Sequence, residues 1–210
     1  MSRSVPEFKV VLLGEGRVGK TSVVNRFVRN AFAPEEASSR NASFVEKAME
    51  VDGQKVKLAI WDTAGQEQYH ALAPIYYKDA DGALLVYDIT DSESFARVSK
   101  WVQELRLVNK ASCVLTICGN KVDMDHKRQV DAGSAERYAA SVSAAHFATS
   151  AKTGRGIEQA FRHVASELAR QPQSRGGKNA DARIQLISTS GIGNSIVGDP
   201  RTERSKKCCE

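Results

Sequence analysis

Residues Gly14 to Thr21 read GEGRVGKT, a G-x-x-x-x-G-K-[ST] spacing that follows an apolar run, Phe8 to Leu13, and precedes a helix-period segment. Glycines let the backbone turn so that successive N–H groups face a phosphate chain, and the helix N-terminus adds partial positive charge. In that setting Lys20 would reach the β and γ phosphates and Thr21 would offer its hydroxyl to Mg²⁺. The phosphate-site candidates are therefore Gly16, Arg17, Val18, Gly19, Lys20, Thr21 and Ser22, with the Arg17 side chain expected to point outward. The bland alternative, a glycine-rich turn with a surface lysine, does not account for the strand and helix on either side.

Three further motifs narrow the chemistry. WDTAGQE, Trp61 to Glu67, ends a strand-like run; Asp62 can hold Mg²⁺ through water, Gly65 can give its N–H to a γ phosphate, and Gln66 can orient an attacking water. NKVD, Asn120 to Asp123, places a carboxylate at Asp123 that can accept from the ring N–H and the exocyclic amine of guanine. Adenine does not present those donors together, and sites built on such hydrogen bonds discriminate by roughly 10⁴ to 10⁵. TSAK, Thr149 to Lys152, would let the Ala151 N–H meet guanine O6. Asn120, Lys121, Asp123, Ser150, Ala151 and Lys152 form the candidate base site.

The elements that must position these residues are legible as short β-rich runs alternating with helical periodicity, the pattern of an α/β domain. Strands are expected at Phe8–Leu13, Ser43–Val51, Lys55–Trp61, Ala83–Tyr87, Val114–Gly119 and His146–Thr149. Helices are expected at Lys20–Asn30, Ser92–Val108, Asp131–Ser141 and Ile157–Arg170. Asp52-Gly53 reads as a hairpin turn, so one antiparallel pair joins an otherwise parallel sheet. In the second helix Phe95, Val98, Val102, Leu105 and Val108 fall on one face. Cys113 and Cys118 are five apart in a strand and so point to opposite faces, which argues against a shared metal. His70, His126, His146 and His163 are scattered without metal-ligand spacing and read as structural or exposed.

Composition sets the outer bounds. The chain has 210 residues, 41% hydrophobic and 26% charged, room for one domain and an appendage. Its formal charge of +5 is uneven: residues 171–210 carry 7 Lys and Arg against 4 Asp and Glu, leaving a near-neutral first 170 residues. So weak and dispersed an excess is not the footprint of a nucleic-acid binder. The longest aliphatic stretches fall far short of the roughly 20 residues that cross a bilayer, and the N-terminus has no apolar signal core. After Arg170 the sequence turns Gly-rich and loses its aromatics, as expected of a disordered tail.

These motifs, in order at the ends of successive strands, resemble the small GTPases of the Ras superfamily and, within them, the Rab branch. YYKDADGALLVYD (Tyr76 to Asp88) and YDITDSESF (Tyr87 to Phe95) are Rab-like, and AIWDTAGQEQYHALAPIYY (Ala59 to Tyr77) looks closest to Rabs of early endosomes. The resemblance implies a six-stranded mixed, mostly parallel sheet flanked by helices over residues 6–170, with a flexible tail over 171–210. It implies a first switch at Ala31 to Ala42 and a second at Thr63 to Lys78, Mg²⁺ and GTP or GDP as ligands, and slow hydrolysis of GTP helped by an activator that supplies arginine. Phe32 matches the aromatic beside the guanine, with a helix-end core residue as the alternative. Phe44, Trp61 and Tyr76 match the aromatic triad shown to effectors; for Phe44 and Trp61 the alternative is core packing.

Two positions depart from the family pattern. Ser39 stands where a threonine coordinates Mg²⁺ and meets the γ phosphate, with Ser38 as the neighbouring alternative, and Gln68 replaces the usual arginine of the second switch. The terminus, KKCCE, lacks a C-a-a-X box, but Cys208 and Cys209 resemble the paired-cysteine signal for double geranylgeranylation. Two lipid chains anchor stably where one does not, and Arg201, Arg204, Lys206 and Lys207 would add attraction to an anionic surface; an incidental thiol pair is the alternative. The implied partners are an exchange factor, a GTPase-activating protein, Rab escort protein with geranylgeranyl transferase, a GDP-dissociation inhibitor and effectors, around a monomer. The implied location is the cytosolic face of endosomal membranes, with an inhibitor-bound cytosolic pool. The competing functional reading is a Rab-like scaffold that holds guanine nucleotide with little hydrolysis or switching.

Overall fold

The structure, a computed structural model, describes residues 4–34, 43–63, 76–109 and 113–171, all within the unit Met1–Pro172. The elements run β1 (Glu7–Leu13), α1 (Lys20–Arg29), β2 (Ser43–Val51), β3 (Gln54–Asp62), β4 (Gly82–Asp88), α2 (Ser92–Ala96), α3 (Val98–Val108), β5 (Val114–Asn120), a 3₁₀ turn (Val122–Lys127), α4 (Ala132–Ser141), β6 (Ala145–Ala148) and α5 (Ile157–Arg170). The six strands pair in the order β2-β3-β1-β4-β5-β6. Only the β2–β3 pair is antiparallel. Asp52 (φ 49°) and Gly53 (φ 74°) close that hairpin with two left-handed residues, as an Asp-Gly turn should.

Strand periodicity of two sends alternate side chains to opposite cores. From β1, Phe8, Val10 and Leu12 join a cluster with α1 and α5, where Phe27 stacks on Phe161 at 3.8 Å between ring centroids. Val11 and Leu13 join the opposite cluster, with α3 and α4. Cys118 belongs to the first cluster and Cys113 packs against the second, on opposite faces as their spacing requires. Burial pushes both thiols up to about 12, so neither is a ready nucleophile. No group of three or more His, Cys, Asp or Glu side chains placed to hold a metal occurs among the described residues.

The single helix expected over Ser92–Val108 is two. Asp91 caps α2 through bonds from the Glu93 and Ser94 N–H groups, and Arg97 is a shared cap between the two helices, its N–H still bonded to the Glu93 carbonyl and its guanidinium reaching Glu93 at 2.9 Å and Glu15 at 3.4 Å. Beyond the break the buried stripe is Val98, Trp101, Val102 and Leu105, a regular i, i+3, i+4, i+7 set. Val108, which the sequence placed on that face, is exposed in the last turn. The 3₁₀ turn after β5 carries no hydrophobic periodicity and was not legible in the sequence.

Candidate functional site

The loop from Gly14 to Gly19 joins the buried end of β1 to α1, and its turns fall on Gly14 (φ 141°), Arg17 (φ 65°) and Gly19 (φ 93°). Two glycines are obligatory for contact as well as conformation: a Cβ on Gly14 would lie 2.1 Å from the Val86 carbonyl oxygen, and one on Gly19 would lie 2.7 Å from Asn120 Nδ2. Arg17 and Gly16 are exposed, so the Arg17 side chain does face outward. No side chain caps α1 and no acidic residue occupies its first turn, which leaves the positive end of the helix suited to an anion.

Lys20, only 5% exposed, donates from Nζ to the carbonyls of Gly14 and Glu15, each at 2.8 Å. Burial draws its ammonium down to about 8, while Asp62 and Glu15 oppose that shift. A cation held by loop carbonyls at the mouth of a helix N-terminus is placed for a phosphate. Thr21 Oγ1 donates to Asp62 Oδ2 at 2.6 Å, joining the start of α1 to the end of β3. A hydroxyl and a carboxylate at one point are hard oxygen donors, the type that suits Mg²⁺. The residues present fit that ion.

The base-site candidates converge from two further strand ends. Asn120, 1% exposed, donates from Nδ2 to the Val18 carbonyl at 2.9 Å, and its Oδ1 accepts from the Ala151 N–H at 3.2 Å and the Thr149 hydroxyl at 3.4 Å. One side-chain amide thus ties the phosphate loop to the loop after β6. Lys121 adopts a left-handed backbone (φ 70°), and its Nζ lies 2.6 Å from Asp88 Oδ2 at the end of β4. Asp88 Oδ1 also accepts from the Thr90 N–H and hydroxyl. Ser150 donates to Asp123 Oδ1 at 2.6 Å and takes the Thr153 N–H, which orients the carboxylate expected to read guanine. Asp88 and its fixing of Lys121 were missed in the sequence; the signal was its place at the end of a buried run within a quoted motif.

Among the aromatic candidates, Phe44 and Trp61 oppose each other across β2 and β3 with ring centroids 5.1 Å apart, and Trp61 lies 6.4 Å from Tyr76. Phe44 is 49% exposed, so core packing does not explain it. Trp61 is half-buried against the second cluster, with the Lys9 ammonium 5.4 Å from its ring centroid. Phe32 is half-buried and packs against the first cluster. His146 accepts or donates at 3.1 Å to the buried Tyr87 hydroxyl, and His163 sits 5.5 Å from Phe147, both structural. Ser38, Ser39, Gly65, Gln66, Gln68, His70, Cys208 and Cys209 lie outside the described residues, as do most of both expected switches.

A model of the Ras family matches residues 9–170. The chain belongs to the Ras family. It is 44% identical over 208 residues to mouse Ras-related protein Rab-21, covering 96% of this chain and 91% of that protein. To human Ras-related protein Rab-21 it is 51% identical over 166 residues, 79% of this chain and 74% of that one. To Ras-related protein Rab-5A of Dictyostelium discoideum it is 39% identical over 203 residues, 97% and 96% of the two. The chain is a Rab GTPase of the early-endosomal type: it binds GTP and GDP with Mg²⁺, hydrolyses GTP, and acts as a switch in endosomal traffic through regulators and effectors. The ends of β1, β3, β5 and β6 described above lie together at the carboxyl end of the parallel strands, where open α/β sheets bind ligands.

Proposed function

We propose that the residues which carry this activity are those assigned from the motifs. The observation that supports the reading best is the convergence of Lys20, the Thr21–Asp62 pair and the Asn120–Ala151–Asp123 group at adjacent strand ends, joined through the Asn120 amide. Residues 16–22 cradle the phosphates, Thr21, Ser39 and Asp62 hold Mg²⁺, and Asn120, Lys121, Asp123, Ser150, Ala151 and Lys152 hold the base with Phe32 beside it. Bound Mg²⁺ supplies charge neutralisation on the phosphates.

In the reaction, Gln66 orients a water in line with the γ phosphate. The water oxygen bonds to phosphorus as the bond to the β–γ bridging oxygen breaks; that electron pair stays on GDP and both of the water's protons leave with the phosphate, as H₂PO₄⁻. Lys20 and the loop N–H groups stabilise the charge that gathers on the leaving side. No built-in arginine finger is assigned, so hydrolysis is slow alone and an activator's arginine accelerates it by roughly 10³ to 10⁵.

Residues 6–170 are the GTPase domain and 171–210 a tail whose Cys208 and Cys209 are the sites of geranylgeranylation after delivery by Rab escort protein. An exchange factor loads GTP, effectors meet Phe44, Trp61 and Tyr76, and a GDP-dissociation inhibitor holds a cytosolic pool. The test is single-turnover phosphate release from GTP-loaded protein, with ATP as competitor, for the native chain, Gln66→Leu and Ser39→Thr. Slow release, unmoved by ATP and further suppressed in Gln66→Leu, supports the assignment. Release indifferent to Gln66→Leu removes that residue's role, and release that appears only in Ser39→Thr identifies a nucleotide-holding scaffold.

A further inference from the structure

Arg26 sits in the second half of α1, five residues beyond Thr21 and outside every quoted motif. Its Nε donates to the Ala151 carbonyl at 2.8 Å and its Nη2 to the Lys152 carbonyl at 2.7 Å. Nη1 is turned back on its own helix end, reaching the Asn30 carbonyl at 3.1 Å and Asn30 Oδ1 at 3.0 Å, where Asn30 closes α1 in a left-handed cap. One planar guanidinium therefore grips two consecutive carbonyls of the loop after β6 while anchored to the end of the phosphate-binding helix. Lysine, a point charge on a flexible stem, cannot reproduce that fork.

The consequence follows from the peptide plane. In a trans peptide the C=O and the following N–H point in opposite directions. Drawing the Ala151 carbonyl toward Arg26 aims the Lys152 N–H away from α1, and fixing the next plane as well removes the loop's freedom to rotate back. The preceding plane is held from the other side, where the Ala151 N–H meets Asn120 Oδ1. We propose that Arg26 is a positioning residue for guanine recognition: it sets the 151–152 peptide plane so that the Lys152 N–H faces the base oxygen O6, while the Ala151 and Thr153 N–H groups stay on Asn120 and Ser150, and it couples that loop to the helix that carries Lys20 and Thr21. This rests on the base-site reading given above. α1 has ten residues, a rigid rod of about 15 Å, so the phosphate and base contacts share one strut.

The experiment measures dissociation constants of GDP, inosine diphosphate and 2-aminopurine riboside diphosphate for the native chain, Arg26→Ala and Arg26→Lys. Inosine diphosphate lacks the amine assigned to Asp123; 2-aminopurine riboside diphosphate lacks O6 and with it the ring N–H, a loss common to native and variant chains, so O6 is read from the change in its ratio to GDP between them. The expected result is that both variants lose discrimination against the O6-less nucleotide by about tenfold, the scale of one charge-assisted hydrogen bond set adrift, while the GDP-to-inosine diphosphate ratio holds. Arg26→Lys keeps charge and stem, so it reports even where Arg26→Ala folds poorly. Equal loss toward all three nucleotides, or no loss at all, overturns the proposal and leaves Arg26 a plain strut. A native chain that discriminates against neither analogue overturns the base-site reading, and the proposal with it.

Discussion

Asn120 and Val18, 102 positions apart, are joined by a buried 2.9 Å hydrogen bond from the side-chain amide to the main-chain carbonyl. The same side chain accepts from Ala151, so the phosphate loop and the base loop cannot move independently. Asn120→Ala leaves a buried carbonyl and a buried N–H without partners, at roughly 1–3 kcal/mol each. The expected outcome in urea unfolding is a loss of about 2–6 kcal/mol, with GDP dissociating at least tenfold faster in a fluorescence chase. Asn120→Asp keeps the acceptor for Ala151 but places a carboxylate against the Val18 carbonyl, and should lie between native and Asn120→Ala.

Lys20 gives a pH dependence with a defined sign. Its folded pKa, about 8, lies below the ordinary 10.5 because burial disfavours the ammonium. Between those values the unfolded chain binds more protons than the folded one, so this group's contribution to stability rises with pH from about 8 to 10.5. Nucleotide phosphates reverse the preference by favouring the charged form. Nucleotide binding should therefore take up a proton above about pH 8, and affinity should fall as pH rises further. Calorimetric titration in buffers of different ionisation enthalpy checks the uptake, and Lys20→Met should abolish it along with most of the affinity.

Asp88 fixes Lys121 through a 2.6 Å ion pair while its other oxygen takes two bonds from Thr90. Asp88→Asn preserves the Thr90 contacts and removes the charge. Lys121 then loses its anchor beside the base loop, and GDP dissociation should accelerate about tenfold, the scale of a hydrogen bond to a charged group. The melting temperature should move by only a few degrees. A large melting shift with unchanged GDP dissociation would show that Asp88 serves the fold alone.

Phe44 and Trp61 should separate function from stability. Phe44 is half-exposed and touches chiefly Trp61, so Phe44→Ala should cost under about 1 kcal/mol. Trp61 packs against the second core cluster and beneath the Lys9 ammonium; Trp61→Ala should cost about 3 kcal/mol or more. Chemical denaturation of the two variants decides. Equal costs would mean that the exposed ring is not held for an external partner.

Much of the site was legible because its chemistry is local. Gly14, Gly19, Lys20 and Thr21 lie within one turn between a strand and a helix, and the backbone angles that this turn demands restrict the residue types directly. Asp62, Asn120, Asp123 and Ala151 were legible because each ends or follows a strand whose apolar period is readable. The helix of residues 92–108 failed in part because periodicity counts residues and does not register a cap shared by two helices at Arg97, nor that Val108, in the last turn, is partly exposed.

The sequence by itself determined the strand and helix alternation, the antiparallel hairpin at Asp52-Gly53, the glycine-bounded loop before α1 and the motifs proposed to read guanine, because each follows from torsional preference, burial period or side-chain chemistry over a few residues. Only the tertiary structure decided which groups support them. Arg26 meets Ala151 across 125 positions, Asp88 meets Lys121 across the β4–β5 pair, and Phe44 is turned outward beside Trp61. Such contacts depend on strand order and helix placement, which bring distant segments within 3 Å, and no local spacing encodes a distance set by packing.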